Sequence, residues 1–191
     1  FGQIDILINS AGISMRALFD DVQLDVLKRV FEINFWGTVY CTKFALPHLL
    51  LSKGSLVGIS SIAGKTGLPG RTGYSSSKFA MEGFLQTVRI ENIKKELHVL
   101  VACPGFTASN IRSAALNAEG ATQKESPRDE TKMMQPDEVA NKILNAIVKR
   151  KRDLVLTSEG KITVLLSKLF PSFLDKMVYN HMAKEKNSPL K

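Results

Sequence analysis

The chain is short of several things, and each shortage narrows what it can be. Its two cysteines, Cys41 and Cys103, are too few to frame 191 residues with disulfides, which points to a reducing compartment. Both read as small core hydrophobes rather than nucleophiles. Three histidines, His48, His98 and His181, show no metal-ligand spacing to one another or to the cysteines, so no metal site is expected. No apolar run approaches the roughly 18 residues of a membrane span. The stretches Leu46–Leu51 and Val164–Phe170 are interrupted by His48 and Lys168. Acidic residues are outnumbered, 18 against 26 basic, which leaves a net charge of +8. That excess raises nucleic acid or an anionic membrane as partners. Only Lys149–Arg152 forms a tight cluster, though, and it reads as a solvated helix end. Without interleaved aromatics or a known module, no nucleic-acid role is expected. No internal repeat is present.

What is there is a globular composition, 44% hydrophobic and 23% charged, on a chain long enough to bury a core. The opening is abrupt: Phe1-Gly2 leads at once into a core-like run, which suggests that a further segment precedes it. No secretory pattern is seen, and an intracellular, cytoplasmic setting is the expectation. Short apolar runs bounded by breakers predict strands over Ile4–Ile8, Ser55–Ser60, His98–Cys103 and Leu154–Thr157. Helical periodicity fills Gln23–Leu51 and Tyr74–Glu96, and Pro136-Asp137-Glu138 opens a third helix. Strands alternating with helices, and apolar on both faces, mean an α/β fold built on a covered parallel sheet. Thr107–Met134 is polar and aperiodic, a loop of about 28 residues of the kind that serves as a lid or binding loop. Ala108, Ile111 and Leu116 are its expected apolar contacts to a substrate. Residues 1–158 read as one domain and residues 159–191 as a helical extension. That extension mixes apolar residues with lysines, so it packs across the domain or lies on a membrane surface. Lys184–Lys191 is expected to fray.

The chemistry-bearing region is Ser60-Ser61 followed by Tyr74-Ser75-Ser76-Ser77-Lys78. Tyr74 and Lys78 stand four apart on a predicted helix, so both emerge on one face. An ammonium beside a phenol favours the phenolate and pulls its pKa below about 10, which makes an acid/base of tyrosine. Ser61 lies at the carboxyl end of a predicted strand, the edge where ligands collect in open α/β sheets. There its hydroxyl can orient a substrate oxygen. A hydrolase role for Ser61 lacks both a partnered histidine and a Gly-x-Ser-x-Gly elbow. A lone Tyr-x-x-x-Lys pair mostly decorates a solvated helix face. The strand ending in Ser-Ser and the Gly67–Gly70 turn before it favour a site here.

With these residues in place the sequence resembles the short-chain dehydrogenase/reductase family, from Phe1 to about Thr157. Asp5-Ile6-Leu7-Ile8-Asn9-Ser10-Ala11-Gly12 is similar to the strand and Asn-Asn-Ala-Gly turn of that family. Asn34 falls on its active-site asparagine, and Ser61, Tyr74 and Lys78 on its serine, tyrosine and lysine. Pro104-Gly105 falls on the turn that approaches the nicotinamide, and Ser109 on a frequent threonine. A fainter likeness, in Gly58–Lys65 and Lys149–Leu156, is to the dehydrogenase/reductase member 7 group. The resemblance implies a Rossmann-type doubly wound sheet without its first strands and helices. It implies a cofactor, NAD or NADP, held by Asn9, Ala11, Gly12, Tyr74, Lys78, Pro104, Gly105, Thr107 and Ser109. It also implies a small apolar carbonyl or alcohol substrate at Ser61, Tyr74, Ile62 and Phe106. Tyr74 would exchange the proton, Ser61 orient the oxygen, Lys78 hold the ribose, and the Asn34 carbonyl hold a relay water. The family's paired helices imply a homodimer or homotetramer.

Three departures stand out, the largest an absence. Ser10 replaces the second asparagine of the first motif, and Leu100 stands where the family has asparagine or serine. No Gly-x-x-x-Gly-x-Gly turn occurs in the chain. The alternative reading is therefore a non-catalytic chain that serves as a dimerisation or interaction module.

Overall fold

The computed structural model describes residues 2–127, 129–131 and 133–191; Phe1, and Arg128 and Lys132 of the expected substrate loop, lie outside the described residues. Four parallel strands form one sheet in the order β1 (Ile6–Asn9), β2 (Ser55–Ile59), β3 (His98–Cys103), β4 (Asp153–Val155). Each crossover carries helix: α1 (Leu24–Phe31), a π-turn (Glu32–Trp36) and α2 (Gly37–Leu51), then α3 (Thr72–Glu91), then α4 (Pro136–Val148). Helices α5 (Ser158–Leu169) and α6 (Pro171–Ala183) follow the sheet.

Strand alternation sorts the core into two layers. Leu56, Val99, Val101 and Cys103 face Ala45 and Leu49 of α2 and Met81, Leu85 and Val88 of α3. Val57, Leu100 and Ala102 point the other way, onto Val139, Ile143, Ala146 and Ile147 of α4. Helices on both faces make this a doubly wound, Rossmann-type sheet. Leu100 thus stands as a core residue in the α4 layer. Gly58 is required by closeness: a Cβ there would lie 2.2 Å from Leu85 Cδ1.

The expected strands are present, with boundaries moved by one or two residues. β1 is covered on one face by the described residues. Leu7 packs with the α2–α3 layer, while Ile6 and Ile8 are each 45% exposed. Among the described residues β1 pairs with β2.

The helices depart in three places. The π-turn interrupts the predicted Gln23–Leu51 helix. Asn92 ends α3 before Glu96 by donating its amide to Val88 O at 2.9 Å. Thr157 opens α5 earlier than expected, accepting from Gly160 N–H at 3.0 Å.

The 107–134 loop does not hang free. Isolated bridges join Met15 to Leu116 and Thr107 to Met134. Leu116 is 3% exposed and packs with Met15, Val26 and Val30. This corrects its expected role as a substrate contact, because the bridge to Met15 turns it into the core. Cys41 is exposed rather than buried, on the outer side of α2.

The chain's end is also ordered. Arg16 Nη2 lies 3.4 Å from Glu185 and donates to the Lys186 carbonyl at 2.7 Å, and Arg71 Nη2 lies 3.6 Å from the same carboxylate. Glu185 and Ser188 are buried, so the predicted frayed tail instead straps the segments on either side of the site. Among the described residues, no helix is long and apolar enough to cross a membrane.

Candidate active site

The site lies at the carboxyl ends of β1, β2 and β3. β2 continues one residue past its ladder, Ser60 N–H donating to Ala102 O at 2.7 Å, and then turns. Ser61 is extended (φ −157°, ψ 164°) and caps the short 3-10 turn Ile62–Gly64, accepting from Ala63 N–H at 3.1 Å. Helix α3 lies across this turn. Tyr74 on its first turn stands beside Ser61, whose hydroxyl acts on the phenol. Its ring packs among Met15, Leu116 and their neighbours.

Lys78, one turn on, is 3% exposed, and its Nζ donates to Ile59 O at 2.8 Å. The ammonium sits over the Tyr74 ring, 5.9 Å from its centroid. It therefore faces the ring rather than reaching the hydroxyl, and the expected depression of the phenol by Lys78 is not seen. Burial lifts Tyr74 above its ordinary pKa, against the Ser61 hydroxyl and the charges of Arg71 and Arg112. Burial likewise pulls Lys78 down to about 8.

Asn34 explains the π-turn. The side chain is fully buried and completes two bonds with one residue of the β1–α1 loop: Ile13 N–H donates to Oδ1 at 2.8 Å, and Nδ2 donates to Ile13 O at 2.9 Å. Nδ2 also donates to Ser77 Oγ at 3.0 Å, on α3 beside Lys78. One amide so locks three segments together, and the wider i→i+5 turn is what carries it to them. Its carbonyl accepts from Thr38 Oγ1 at 3.1 Å.

Gly12 completes the floor. A Cβ there would lie 3.3 Å from Asn34 Oδ1 and 3.4 Å from Lys78 Nζ. Asn9 is buried with its amide 3.5 Å from Thr42 Oγ1, whereas Ala11 is exposed at the opening.

Asn34, Ser61, Tyr74, Lys78 and Gly12 thus converge. The remaining expected residues sit around them. Gly105 is pressed against Thr157, where a Cβ would come within 2.5 Å of Thr157 Cγ2. Pro104 is half-buried, and Thr107 Oγ1 donates back to Gly105 O at 3.2 Å. Ser109 is exposed with its N–H on Glu130 at 3.2 Å, and Phe106 is 44% exposed. Ile62 turns toward Gly160 of α5 and the α3 core layer.

Sequence reasoning missed the two arginines that act on Tyr74. Arg112 reaches back to Thr107 O at 2.6 Å and pairs with Glu130 at 2.9 Å, and no local pattern marks either contact. Among the described residues, no group of three or more His, Cys, Asp or Glu side chains is placed to hold a metal ion.

The residues present fit the nicotinamide–ribose end of a dinucleotide. Lys78 offers buried ammonium donors beside a glycine floor, next to a phenol with a serine beside it. Comparison with known proteins agrees in fold. Residues 1–120 match the short chain dehydrogenase family. The chain is 38% identical over 192 aligned positions to Dehydrogenase/reductase SDR family member 7B of Bos taurus, covering 98% of this chain and 58% of that protein. It is 33% identical to a Dehydrogenase/reductase SDR family protein 7-like of Drosophila melanogaster, over 100% and 59%. The chain therefore spans less than two thirds of these relatives. Among solved structures, a short-chain dehydrogenase from Streptomyces avermitilis superposes with TM-score 0.76 at 24% identity, over 96% of this chain and 72% of that one. One from Burkholderia cenocepacia, solved in complex with NADP, gives 0.77 at 18%, over 92% and 68%.

Proposed function

The chain belongs to the short-chain dehydrogenase family, and from that premise we propose that its protein is an oxidoreductase acting on a carbonyl or secondary alcohol with a nicotinamide dinucleotide. The observation that carries this reading is the convergence of the Ser61 hydroxyl and the Tyr74 phenol beside the buried Lys78, whose ammonium lies over the phenol ring. When bound, the dinucleotide supplies or accepts the hydride. The chain's own groups do the rest. Tyr74 gives a proton to the substrate oxygen or takes it, and Ser61 orients that oxygen by donating to it. Lys78 binds ribose hydroxyls with the donors left over from Ile59. Asn34 fixes Gly12–Ile13 and Ser77, and so holds the floor on which the ring would rest. Arg71 and Arg112 favour the phenolate as it forms.

The test is oxidation of NADPH and of NADH by the full-length protein against a panel of apolar ketones and aldehydes. Tyr74→Phe is expected to abolish turnover and leave dinucleotide affinity nearly intact, since the phenyl ring keeps its place over Lys78. Unchanged turnover in that variant overturns the reading. A protein that binds neither dinucleotide is instead the interaction module.

Trp36, Tyr40 and Phe44 recur every four residues along one stripe and are 42%, 51% and 78% exposed. Such a stripe supports pairing of these helices with a second copy, as a homodimer or homotetramer. Light scattering of the full-length protein and of Phe44→Glu tests it, with dissociation expected in the variant. The exposed Leu165, Leu169 and Phe173 beside Lys161, Lys168 and Lys176 leave a peripheral membrane contact as a further proposal. Co-sedimentation with anionic vesicles decides it.

A further inference from the structure

Below Ser61 and Tyr74 lies a charged cluster that the proposed chemistry does not use. Glu82 stands one turn beyond Lys78 on α3, with its side chain 6% exposed. Its Oε1 accepts from Ser60 Oγ at 2.6 Å, and Oε2 meets Lys65 Nζ at 2.5 Å. Cys103 Sγ, at the end of β3, donates to Oε1 at 3.5 Å. Ser60 and Lys65 bracket the short turn that Ser61 caps. We propose that Glu82 is a positioning residue for Ser61: its buried carboxylate ties both ends of the Ser60–Lys65 segment to α3 and so sets the reach of the Ser61 hydroxyl to Tyr74. Its kinetic consequence rests on the oxidoreductase reading; the positioning itself does not.

Three further observations support it. Helix α3 grips two consecutive residues of the emerging strand, Lys78 taking Ile59 O and Glu82 taking Ser60 Oγ. Ser61 is the next residue, so its freedom is what these two anchors leave. The space is also cut to this arrangement. A Cβ at Gly64 would lie 2.6 Å from Ser60 Oγ, 2.7 Å from Glu82 Oε1 and 3.1 Å from Lys78 Cβ. The third is energetic. A buried ion pair is commonly matched or bettered for stability by apolar side chains of like volume, and Met81 and Leu85 beside Glu82 already belong to an apolar layer. An acid kept at this spot is better explained by where it holds its partners than by the stability it adds.

The test reads Tyr74 ionisation, by tyrosinate absorbance in the full-length protein, with Tyr74→Phe as the blank for Tyr40 and Tyr179. The groups that act on the phenol are Ser61, Arg71, Arg112 and Cys103, with Lys78 over the ring. Lys78, near 8, is already neutral where a phenol titrates. Removal of an anion would by itself ease ionisation and move Tyr74 down. Glu82 also holds the Cys103 thiol neutral, and a Cys103 thiolate would itself raise Tyr74, so every protein compared carries Cys103→Ala. Loss of Ser61's action on the phenol then moves Tyr74 up, and the sign separates the two causes.

Glu82→Leu is expected to raise the Tyr74 midpoint, Ser61→Ala to raise it likewise, and the double variant to go no higher than Ser61→Ala alone. Should Glu82→Leu fail to fold, Ser60→Ala cuts the same tether from the other side and spares the Lys65 pair; an upward shift is expected there too. In turnover, Glu82→Leu should lower kcat ~10²-fold at unchanged dinucleotide affinity. A Tyr74 midpoint that stays put or falls, or shifts that add in the double variant, overturns the proposal. Turnover that survives Tyr74→Phe removes the oxidoreductase reading instead and leaves the titration result standing.

Discussion

Replacing Lys78 by methionine should make the dinucleotide-free protein more stable at neutral pH. The ammonium is 3% exposed, and its pKa falls from 10.5 to about 8 because burial disfavours the charged form. A gap of about 2.5 pH units at about 1.36 kcal/mol each amounts to about 3 kcal/mol against folding below pH 8. Methionine fills nearly the same volume with no charge to desolvate. It forfeits the 2.8 Å bond to Ile59 O, which offsets about 1–2 kcal/mol. The net gain is about 1–2 kcal/mol, or about 2–8 °C in Tm for a chain of this size. The sign is set by proton counting. Between pH 8 and 10.5 the unfolded chain holds a proton that the folded chain has released, so the parent gains stability as pH rises through that window. The methionine variant has no such slope, and its advantage fades as the window is crossed. Above pH 10.5 the parent should be the more stable by the retained hydrogen bond. Urea unfolding of both proteins at pH 7 and pH 10.5 measures this. A variant less stable at pH 7, or a margin equal at both values, refutes the argument. The expected result means that Lys78 is held against its own solvation, as binding groups often are.

Other perturbations have definite outcomes. Gly58→Ala drives a Cβ onto Leu85 Cδ1 and should cost about 1–3 kcal/mol in chemical denaturation. Asn34→Ala leaves Ile13 N–H and C=O without their partner; a loss of about 2–4 kcal/mol and faster amide exchange at Ile13 are expected. Glu185→Gln removes the carboxylate between Arg16 and Arg71. It should cost about 3 kcal/mol and open the last residues to carboxypeptidase, which limited proteolysis followed by mass spectrometry would detect.

How far the sequence could be read depended on the range of each interaction. The sheet was legible because its strands are short apolar runs between breakers, and His98–Cys103 matches to the residue. Tyr74 and Lys78 were legible because helix geometry alone puts residues four apart on one face. The acid/base partners of the phenol were not. Lys78 looks like its neighbour in sequence, yet its ammonium is drawn to Ile59 O across 19 residues, and the positive charges near Tyr74 come from Arg71 and Arg112. Glu82 reads as one more solvated acid on a helix until Ser60, Lys65 and Cys103 are brought to it by three separate elements. The closing strap was illegible for the same reason, since Arg16 and Glu185 stand 169 residues apart. Leu116 was misread because periodicity cannot show a bridge to Met15.

The π-turn at Glu32–Trp36 also says how this site can be lost. A π-turn holds about one residue more than the α-helical turn it replaces, so the segment from Leu24 to Leu51 carries a surplus residue, and it is Asn34 that the bulge brings to Ile13 and Ser77. Deleting one residue here lets the helix run on in regular register and turns Asn34 away from Ile13 and Ser77. A substitution of Asn34 leaves the bulge, with Phe35 still edge-on to Phe84, whereas a single-codon deletion removes bulge and site together and leaves a smoother helix. In a lineage that no longer needs the chemistry, the scar to look for is a gap in this helix rather than a changed tyrosine.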